Sequence, residues 1–376
     1  MGLAIAYANA FAPDRKADIR RNFSLLLASG TEFASPTAAG VSAAYKLLSN
    51  KVVRTPLLES PLLNEQVGTR VLVKAECLQT TGSFKYRGAL HRLLKLRQES
   101  PEEAATRGVV AFSSGNFGQA LAAAATSLDI PCCIVSPHDA PPIKLERIKK
   151  YGANLVLSEA TEGQNREVIA AALAQELSDT QGMKLLHPFE DMHVVHGQGT
   201  CGMELLEQAP TDLGTIVVPC GGGGLTAGTC LAVEQKGAET RVVSIEPKGF
   251  DDHAQSFQRG RRISLAEMYP SPPEGRSKYC DALMAGAPGV TTWSINGPRL
   301  FDALESLGDD SAARAMRIAF EQFRLVLEPS GALGLAAVMD GQVDVSDEKP
   351  VAVICSGGNT DLPTFDRLMG GINKEN

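Results

Sequence analysis

Short apolar segments recur along the chain and alternate with longer amphipathic ones. The clearest short segments are rich in β-branched residues and apolar on both faces, as in parallel sheets that helices cover. They span 108–112, 132–136, 153–158, 215–220, 241–246 and 351–356. Segments between them, such as 117–128, 142–152 and 165–177, have helical periodicity. The alternation predicts an α/β protein of doubly wound parallel sheets, with its function at the carboxyl ends of the strands.

A further strand is predicted at Val71–Glu76, "VLVKAE", where apolar and polar residues alternate as in a half-buried strand. The "FKYRGALHRLLKL" pattern that begins at Phe84 places most of its leucines on one side of a helix. Lys85 would lie in the first turn of that helix. By contrast, 250–279 is polar and aperiodic, and we expect a long surface excursion there.

The length and composition narrow the class of protein. A chain of 376 residues suggests two domains, and its 44% hydrophobic and 21% charged residues are ordinary for a globular protein. We expect residues 1–40 to be an N-terminal extension. A net charge of −7 without a basic block argues against a nucleic-acid partner, and no apolar run is long enough to span a membrane. The eight cysteines form no CxxC pair, which favours reduced thiols and a cytoplasmic location.

Four consecutive glycines, Gly221–Gly224, follow the apolar strand "TIVVP" and precede an apolar helix. Glycine reaches backbone conformations that turn successive N–H groups inward, and such a nest at a helix N-terminus binds phosphate. Neither a Walker sequence nor a GxGxxG dinucleotide fingerprint fits this loop. A flexible turn is the alternative, but it does not require four glycines. The loop therefore predicts a phosphate site.

Two more polar loops follow predicted strands. In "AFSSGNFGQALA", Ser113, Ser114, Gly115 and Asn116 start a helix and suit a small carboxylate, although an ordinary helix cap is the alternative. In "ICSGGN", Ser356 could hydrogen-bond a heterocyclic nitrogen, or the segment could be only a tight polar turn.

Lys85 is the fourth candidate residue, and it can be combined with these loops into one site. By itself it could be a solvated surface lysine, or an amine kept neutral for Schiff-base formation by a nearby helix N-terminus. A lysine, a phosphate nest, a carboxylate loop and a serine at a strand end are together what pyridoxal phosphate and an amino-acid substrate require.

The ordered set of motifs resembles a known family. "TGSFKYRGA", "SSGNFGQAL", "GGGGLTAG" and "CSGGNTD" are similar to the signatures of the serine/threonine dehydratase and serine racemase family, which are fold type II pyridoxal-phosphate enzymes related to the tryptophan synthase β subunit. "HGQGTCGMELLEQ" and "EPSGALGLAAV" resemble the intervening segments. The resemblance runs from about Arg54 to Leu362 in the family's order.

The resemblance implies roles for individual residues. Lys85 looks like the Schiff-base lysine, with Phe84 beside the ring, Asn116 on the ring hydroxyl and Ser356 on the pyridine nitrogen. Gly221, Gly222, Gly223, Gly224 and Leu225 would hold the phosphate, and Ser113, Ser114, Gly115 and Asn116 the substrate carboxylate. Arg166 lines up with an arginine that can face the substrate, with a solvated helix residue as the alternative.

The resemblance also implies an architecture and a metal. Two α/β domains would enclose the cofactor in the cleft between them, the larger made of 41–106 and 188–376 and the smaller of 107–187. A homodimer is usual in the family. Glu246 and Asp252, with the Phe250 carbonyl, match its Mg²⁺ or Ca²⁺ ligands, although a pair of surface acids is the alternative.

The implied activity is dehydration of a 3-hydroxy amino acid such as L-threonine or L-serine to a 2-oxo acid and ammonia. Ser114 stands where many threonine dehydratases carry alanine, so serine racemase or threo-3-hydroxyaspartate dehydratase is the alternative within the family. Phe117 replaces a histidine common in those members, which favours a substrate with an apolar β-substituent. Outside this activity, a non-catalytic binder would not need Lys85, and β-replacement synthases usually differ in the lysine and asparagine loops.

Overall fold

The computed structural model describes residues 35–161, 166–345 and 348–371. Its strands form two sheets, one with six strands in the order β1-β2-β10-β7-β8-β9 and one with four in the order β5-β4-β3-β6. The strands are β1 Leu57–Glu59, β2 Val71–Lys74, β3 Val109–Phe112, β4 Cys132–Pro137, β5 Asn154–Ser158, β6 Lys184–Leu185, β7 Thr215–Pro219, β8 Arg241–Glu246, β9 Asp302–Glu305 and β10 Val351–Ile354.

Helices surround both sheets. They are α1 Ala38–Leu48, α2 Pro61–Val67, α3 Lys85–Glu99, α4 Pro101–Thr106, α5 Asn116–Ser127, α6 Pro142–Lys150, α7 Arg166–Gln181, α8 Met192–Gln208, α9 Gly224–Lys236, α10 Asp252–Arg259, α11 Leu265–Met268, α12 Val290–Arg299, α13 Asp309–Phe323, α14 Pro329–Met339 and α15 Leu362–Gly371. Every strand pair except β1 with β2 is parallel. The predicted α/β class is therefore confirmed.

The larger sheet buries both of its faces. Along β7, Val217 belongs to one hydrophobic cluster, and its neighbours Ile216 and Val218 belong to another on the opposite side. On β10, Val353 and Ile354 divide in the same way. Successive side chains of a strand point to opposite faces, so the continuous apolar runs in the sequence reflect helices on both sides.

A buried cluster of charged groups joins β2 of the larger sheet to α3 and α8. Lys74 Nζ is 2.5 Å from Glu204 Oε1, and the Arg87 guanidinium reaches both Glu76 (2.7 Å) and Glu204 (3.1 Å). The side chains of these residues are at most 4% exposed. The prediction of a half-buried strand at Val71–Glu76 is therefore wrong, because β2 lies inside the sheet and its lysine is neutralised there.

The polar segment 250–279 also departs from its prediction. It contains α10 and α11 and buries several polar side chains, among them Asp252 and His253. It is not simply a surface excursion, because these polar groups contact one another and the end of β8.

The sheets fall on either side of the predicted domain division. All strands of the smaller sheet lie between Val109 and Leu185, inside the segment 107–187. The boundaries themselves stay a prediction. Residues 1–34 of the predicted N-terminal extension lie outside the described residues, and α1 crosses its predicted end at residue 40. Within the described residues, no helix combines the length and apolarity that crossing a membrane requires.

Candidate active site

The loops before α3 and after β10 are joined by backbone hydrogen bonds. Ser83 forms an isolated bridge with Gly357, the Phe84 N–H donates to the Ser356 carbonyl (3.1 Å), and the Gly358 N–H donates to the Gly82 carbonyl (2.9 Å). The parent strands, β2 and β10, are neighbours in the larger sheet, so both loops leave the same edge. The lysine loop and the serine loop predicted from sequence therefore lie side by side.

Lys85 is the first residue of α3, as predicted. Its amine lies 3.5 Å from the Pro188 carbonyl oxygen and 5.0 Å from the centre of the Phe84 ring. Desolvation lowers the pKa of Lys85 to about 8, partly opposed by the negative charge of Glu328. Burial, with no bonded counter-ion among the described residues, brings the neutral amine within reach of physiological pH.

The glycine loop connects β7 to α9 and lies close to Lys85. Gly223 has a φ of +89° and precedes the first residue of α9, whose N-terminus has no side-chain cap. An added Cβ at Gly222 would lie 2.4 Å from the Phe189 ring, so any side chain here would require that ring to move. Phe189 follows Pro188, which contacts Lys85. The lysine and the glycine loop therefore share one neighbouring segment.

Asn116 joins the loop of the smaller sheet to the larger one. Its Nδ2 donates to Glu328 Oε1 (2.7 Å), and its Oδ1 accepts from Asn359 Nδ2 (2.8 Å). Glu328 precedes α14 and is buried, and this burial, reinforced by the charge of Asp281, raises its pKa to about 7. The sequence analysis quoted "EPSGALGLAAV" but did not single out Glu328. An acid directly before an apolar, glycine-containing helix was the available signal.

The serines of this loop differ in their contacts. Ser113 Oγ accepts hydrogen bonds from the Gly115 N–H (3.3 Å) and the Gly118 N–H (3.1 Å), so it caps the start of α5. Ser114 and Gly115 are partly exposed. A Cβ added at Gly115 would meet nothing within 4 Å, which shows open space beside the loop. The loop therefore offers Ser114 and backbone N–H groups to a small ligand, while Ser113 holds its shape.

The side chains of Arg166 and Phe117 have surroundings that do not support the roles considered for them in the sequence analysis. Arg166 starts α7 and forms an exposed ion pair with Asp139 (2.9 Å), the solvated arrangement given as its alternative. Phe117 is 3% exposed and packs in the hydrophobic cluster of α3 and α5. The specificity argument based on Phe117 therefore loses its support, because the ring lies in the core.

The predicted metal ligands meet at the end of β8, with two additional residues. Glu246 and Asp252 are buried, and His253 Nδ1 lies 3.4 Å from Glu246 Oε1 and 3.5 Å from Asp252 Oδ2. Burial, with the nearby Asp252 carboxylate, raises the pKa of Glu246 to about 8. The Cys220 thiol joins Glu246 and His253 in a group of three whose donor atoms lie within 4.8 Å of one another. The donor set is thus mixed, whereas the sequence analysis predicted only oxygen ligands.

Phe250, the third predicted ligand, precedes this group in the turn after β8. Its ring is buried beneath the Arg276 guanidinium, 3.6 Å from the ring centre. Neither Cys220 nor His253 was singled out from sequence, because an apolar strand end and a polar segment carry no pattern that brings them together.

These arrangements fit pyridoxal phosphate. The uncapped N-terminus of α9 and its glycine loop suit a phosphate, and the depressed pKa of Lys85 suits Schiff-base chemistry. Asn116 and Ser356 border the same region, because Asn359, three residues after Ser356, bonds Asn116. Arg166 instead forms ion pairs with two exposed acids, Asp139 and Glu167.

Comparison with known proteins agrees with this geometry. Residues 48–357 match the family model described as "Pyridoxal-phosphate dependent enzyme". A serine racemase of Arabidopsis thaliana is 38% identical over 326 residues, covering 86% of this chain and 92% of the relative. An L-threonine ammonia-lyase of Thermotoga maritima is 36% identical over 334 residues, covering 89% of this chain and 78% of the relative.

The fold gives the same result. The structure of maize serine racemase superposes with a TM-score of 0.78 at 33% identity and covers 90% of this chain and 98% of that one. The residues that match the family model include every strand of both sheets, Lys85 and the glycine loop. The chain therefore belongs to the family of pyridoxal-phosphate dependent enzymes.

Proposed function

We propose that the protein is a dehydratase that converts a 3-hydroxy amino acid, such as L-threonine or L-serine, to a 2-oxo acid and ammonia. The observation that carries the proposal is the Lys85 amine, whose pKa is lowered to about 8 beside a glycine loop and an amide–carboxyl network. Relatives that are lyases and racemases support the same class of chemistry.

In this proposal each loop has a separate task. Gly221–Leu225 hold the cofactor phosphate, Phe84 lies beside the ring, and Asn116 and Ser356 bind its polar edge. When bound, pyridoxal phosphate supplies an electron sink that stabilises negative charge at the substrate Cα. Ser114, Gly115 and the N–H groups at the start of α5 bind the substrate carboxylate.

Lys85 is the proposed base. Its side chain, neutral when it is not bonded to the cofactor, would take the Cα proton. The β-hydroxyl would then leave as water, taking the proton that Lys85 received, and the released enamine hydrolyses to the 2-oxo acid and ammonia. Ser356 would be a neutral hydrogen-bonding partner for the ring nitrogen and would not enforce its protonation, which favours loss of the β-hydroxyl. Elimination is therefore the proposed main reaction.

Racemisation of serine is the second candidate, and dehydration of threo-3-hydroxyaspartate is a further alternative. The observation that favours racemisation is Ser114, a partly exposed hydroxyl in the carboxylate loop that could return a proton to the opposite face of Cα. A hydroxyl is a weak acid, so this return must compete with irreversible loss of the β-hydroxyl. We also propose a divalent cation at the Glu246–Asp252 group, a homodimer and a cytoplasmic location.

A substrate panel tests the proposal. The purified holoenzyme is incubated with each stereoisomer of serine, threonine and 3-hydroxyaspartate, and both 2-oxo acid formation and residual chirality are measured. Fast 2-oxo acid formation from L-threonine or L-serine is expected. Inversion of serine that exceeds its dehydration would instead identify a racemase. No reaction with any member of the panel would refute the proposal.

A further inference from the structure

The carboxyl ends of β7 and β8 enclose a group of buried donors. Cys220 follows β7 and donates its N–H to the Ile245 carbonyl (2.8 Å), which places the cysteine beside Glu246, the last residue of β8. The carboxylate of Glu246 accepts the N–H groups of His253 (2.9 Å) and Ala254 (2.8 Å) at the start of α10. Strand pairing and helix capping thus bring a thiol, a carboxylate and an imidazole to one point.

Three potential metal-ligand atoms at this point, on Asp252 and His253, have no hydrogen-bond partner. Both carboxylate oxygens of Asp252 and Nδ1 of His253 are buried without one, and both side chains are 0% exposed. Among the described residues, the ion pairs of Glu246 and Asp252 are with His253 and not with a lysine or arginine. Burying the Asp252 carboxylate without a hydrogen bond is costly, and a cation bound between Asp252 and His253 Nδ1 would offset that cost.

The donor types select the kind of ion. Mg²⁺ and Ca²⁺ prefer oxygen ligands, whereas a thiolate and an imidazole beside carboxylates favour Zn²⁺ and similar transition metals. We propose that Cys220, Glu246, Asp252 and His253 form a buried transition-metal site, of the kind that takes Zn²⁺, in place of an all-oxygen Mg²⁺ or Ca²⁺ site. Binding would release the thiol proton, because the thiolate is the ligand.

The distances suit such an ion after a small contraction. In a tetrahedral zinc site, neighbouring ligand atoms are about 3.3–3.8 Å apart. His253 Nδ1 is already 3.4 Å from Glu246 Oε1 and 3.5 Å from Asp252 Oδ2. The donor atoms of Cys220, Glu246 and His253 all lie within 4.8 Å of one another, so a contraction of at most about one ångström brings them to this spacing.

The proposed metal site lies directly against the glycine loop. Cys220 directly precedes Gly221, and an added Cβ at Gly223 would lie 2.6 Å from His253 Nε2. Asn296 Nδ2 lies 3.2 Å from the same imidazole nitrogen and 3.3 Å from the Gly223 carbonyl oxygen. An ion on Cys220 and His253 would therefore fix both ends of the loop that we propose for the cofactor phosphate.

Metal analysis of the full-length holoenzyme tests the proposal. After extensive dialysis against a chelating resin, we expect about one equivalent of zinc per chain and no retained magnesium. Cobalt substitution should produce a thiolate-to-cobalt charge-transfer band, measured as the difference from the zinc-loaded protein so that cofactor absorbance cancels. Cys220→Ser should remove this band and weaken zinc binding roughly tenfold or more, whereas Cys230→Ser, at another buried cysteine, should change neither.

The outcomes separate this proposal from the dehydratase proposal. Zinc bound with the cobalt–thiolate band supports the metal site even if no substrate in the panel reacts. Retained magnesium without zinc, or a cobalt spectrum that Cys220→Ser leaves unchanged, would overturn it even if dehydration is fast. If Cys220→Ser does not fold, Cys220→Ala serves in its place, and the wild-type cobalt spectrum alone still decides whether sulfur is a ligand.

Discussion

The side-chain amide of Asn116 donates a 2.7 Å hydrogen bond to the buried carboxyl group of Glu328. Asn116 starts a helix that follows a strand of the smaller sheet, and Glu328 starts one that packs on the larger sheet. The pair therefore connects the two sheets within the candidate site, and Glu328 also acts on the charge of Lys85.

We expect Glu328→Gln to shift the pH dependence of activity. The released Lys85 amine must be neutral to act as the base in the substrate complex, so kcat should rise as pH increases through its pKa of about 8. The Glu328 carboxylate, ionised above its own pKa of about 7, raises the pKa of Lys85. Its removal should therefore move the rising limb to lower pH, by roughly one unit. A limb that moves to higher pH, or one that Glu239→Gln on the exposed surface shifts equally, would contradict this role.

Lys85→Ala should abolish both turnover and the visible absorbance of lysine-bound cofactor. The reason is that Lys85 is the buried amine beside Phe84 and Pro188, and its lowered pKa suits Schiff-base formation. Borohydride reduction followed by peptide mapping identifies the modified lysine in the wild type. Lys95→Ala, on the same helix, should keep both signals. Label on a lysine other than Lys85 would refute the assignment.

Ser114→Ala should leave dehydration of L-serine or L-threonine within a few-fold of the wild type. Any racemisation and any reaction of D-isomers should disappear, because the hydroxyl is the proposed acid on the face opposite Lys85. Chiral chromatography of residual substrate and a 2-oxo acid assay measure the two activities separately. Loss of L-substrate dehydration with cofactor still bound would show that Ser114 serves the main reaction.

Ser113→Ala should instead act on stability. Ser113 Oγ caps two backbone N–H groups at the start of α5, and loss of such a cap costs about 1 kcal/mol. We expect a lower free energy of unfolding, measured by urea denaturation, together with weaker substrate binding as the loop loosens. Ser127→Ala, at the other end of α5, is the control. Equal stability of the two variants would argue against the cap.

Glu204→Ala should be among the most destabilising changes in the chain. The substitution leaves Lys74 and Arg87 buried with less negative charge, and breaking such a buried pair costs about 3–5 kcal/mol. Glu146→Ala removes an exposed ion pair with Lys150 and should cost less than about 1 kcal/mol. Chemical denaturation of both variants compares them directly. Similar losses would mean that the buried cluster is not a stabilising unit.

The sequence predicted most of the strands and helices, which have a periodic pattern, and few of the contacts between residues that are distant along the chain. Strands such as Thr215–Pro219 were evident because residues on both of their faces are apolar. Lys74 was misjudged because a charged residue predicts a solvated face, while its neutralising partner, Glu204, is 130 residues away. The same holds for Cys220 and His253, which only the pairing of β7 with β8 brings together.

The last strand, Val351–Ile354, lies in the middle of the larger sheet, between Val71–Lys74 and Thr215–Pro219. During synthesis, β2 can therefore pair with its parallel neighbour β10 only after almost the whole chain has left the ribosome. Until then the lysine loop lacks the Ser356 carbonyl that holds it. The smaller sheet, contained between Val109 and Leu185, can form much earlier. A nascent chain arrested before residue 351 should thus protect the smaller sheet from proteolysis while remaining unable to retain the cofactor.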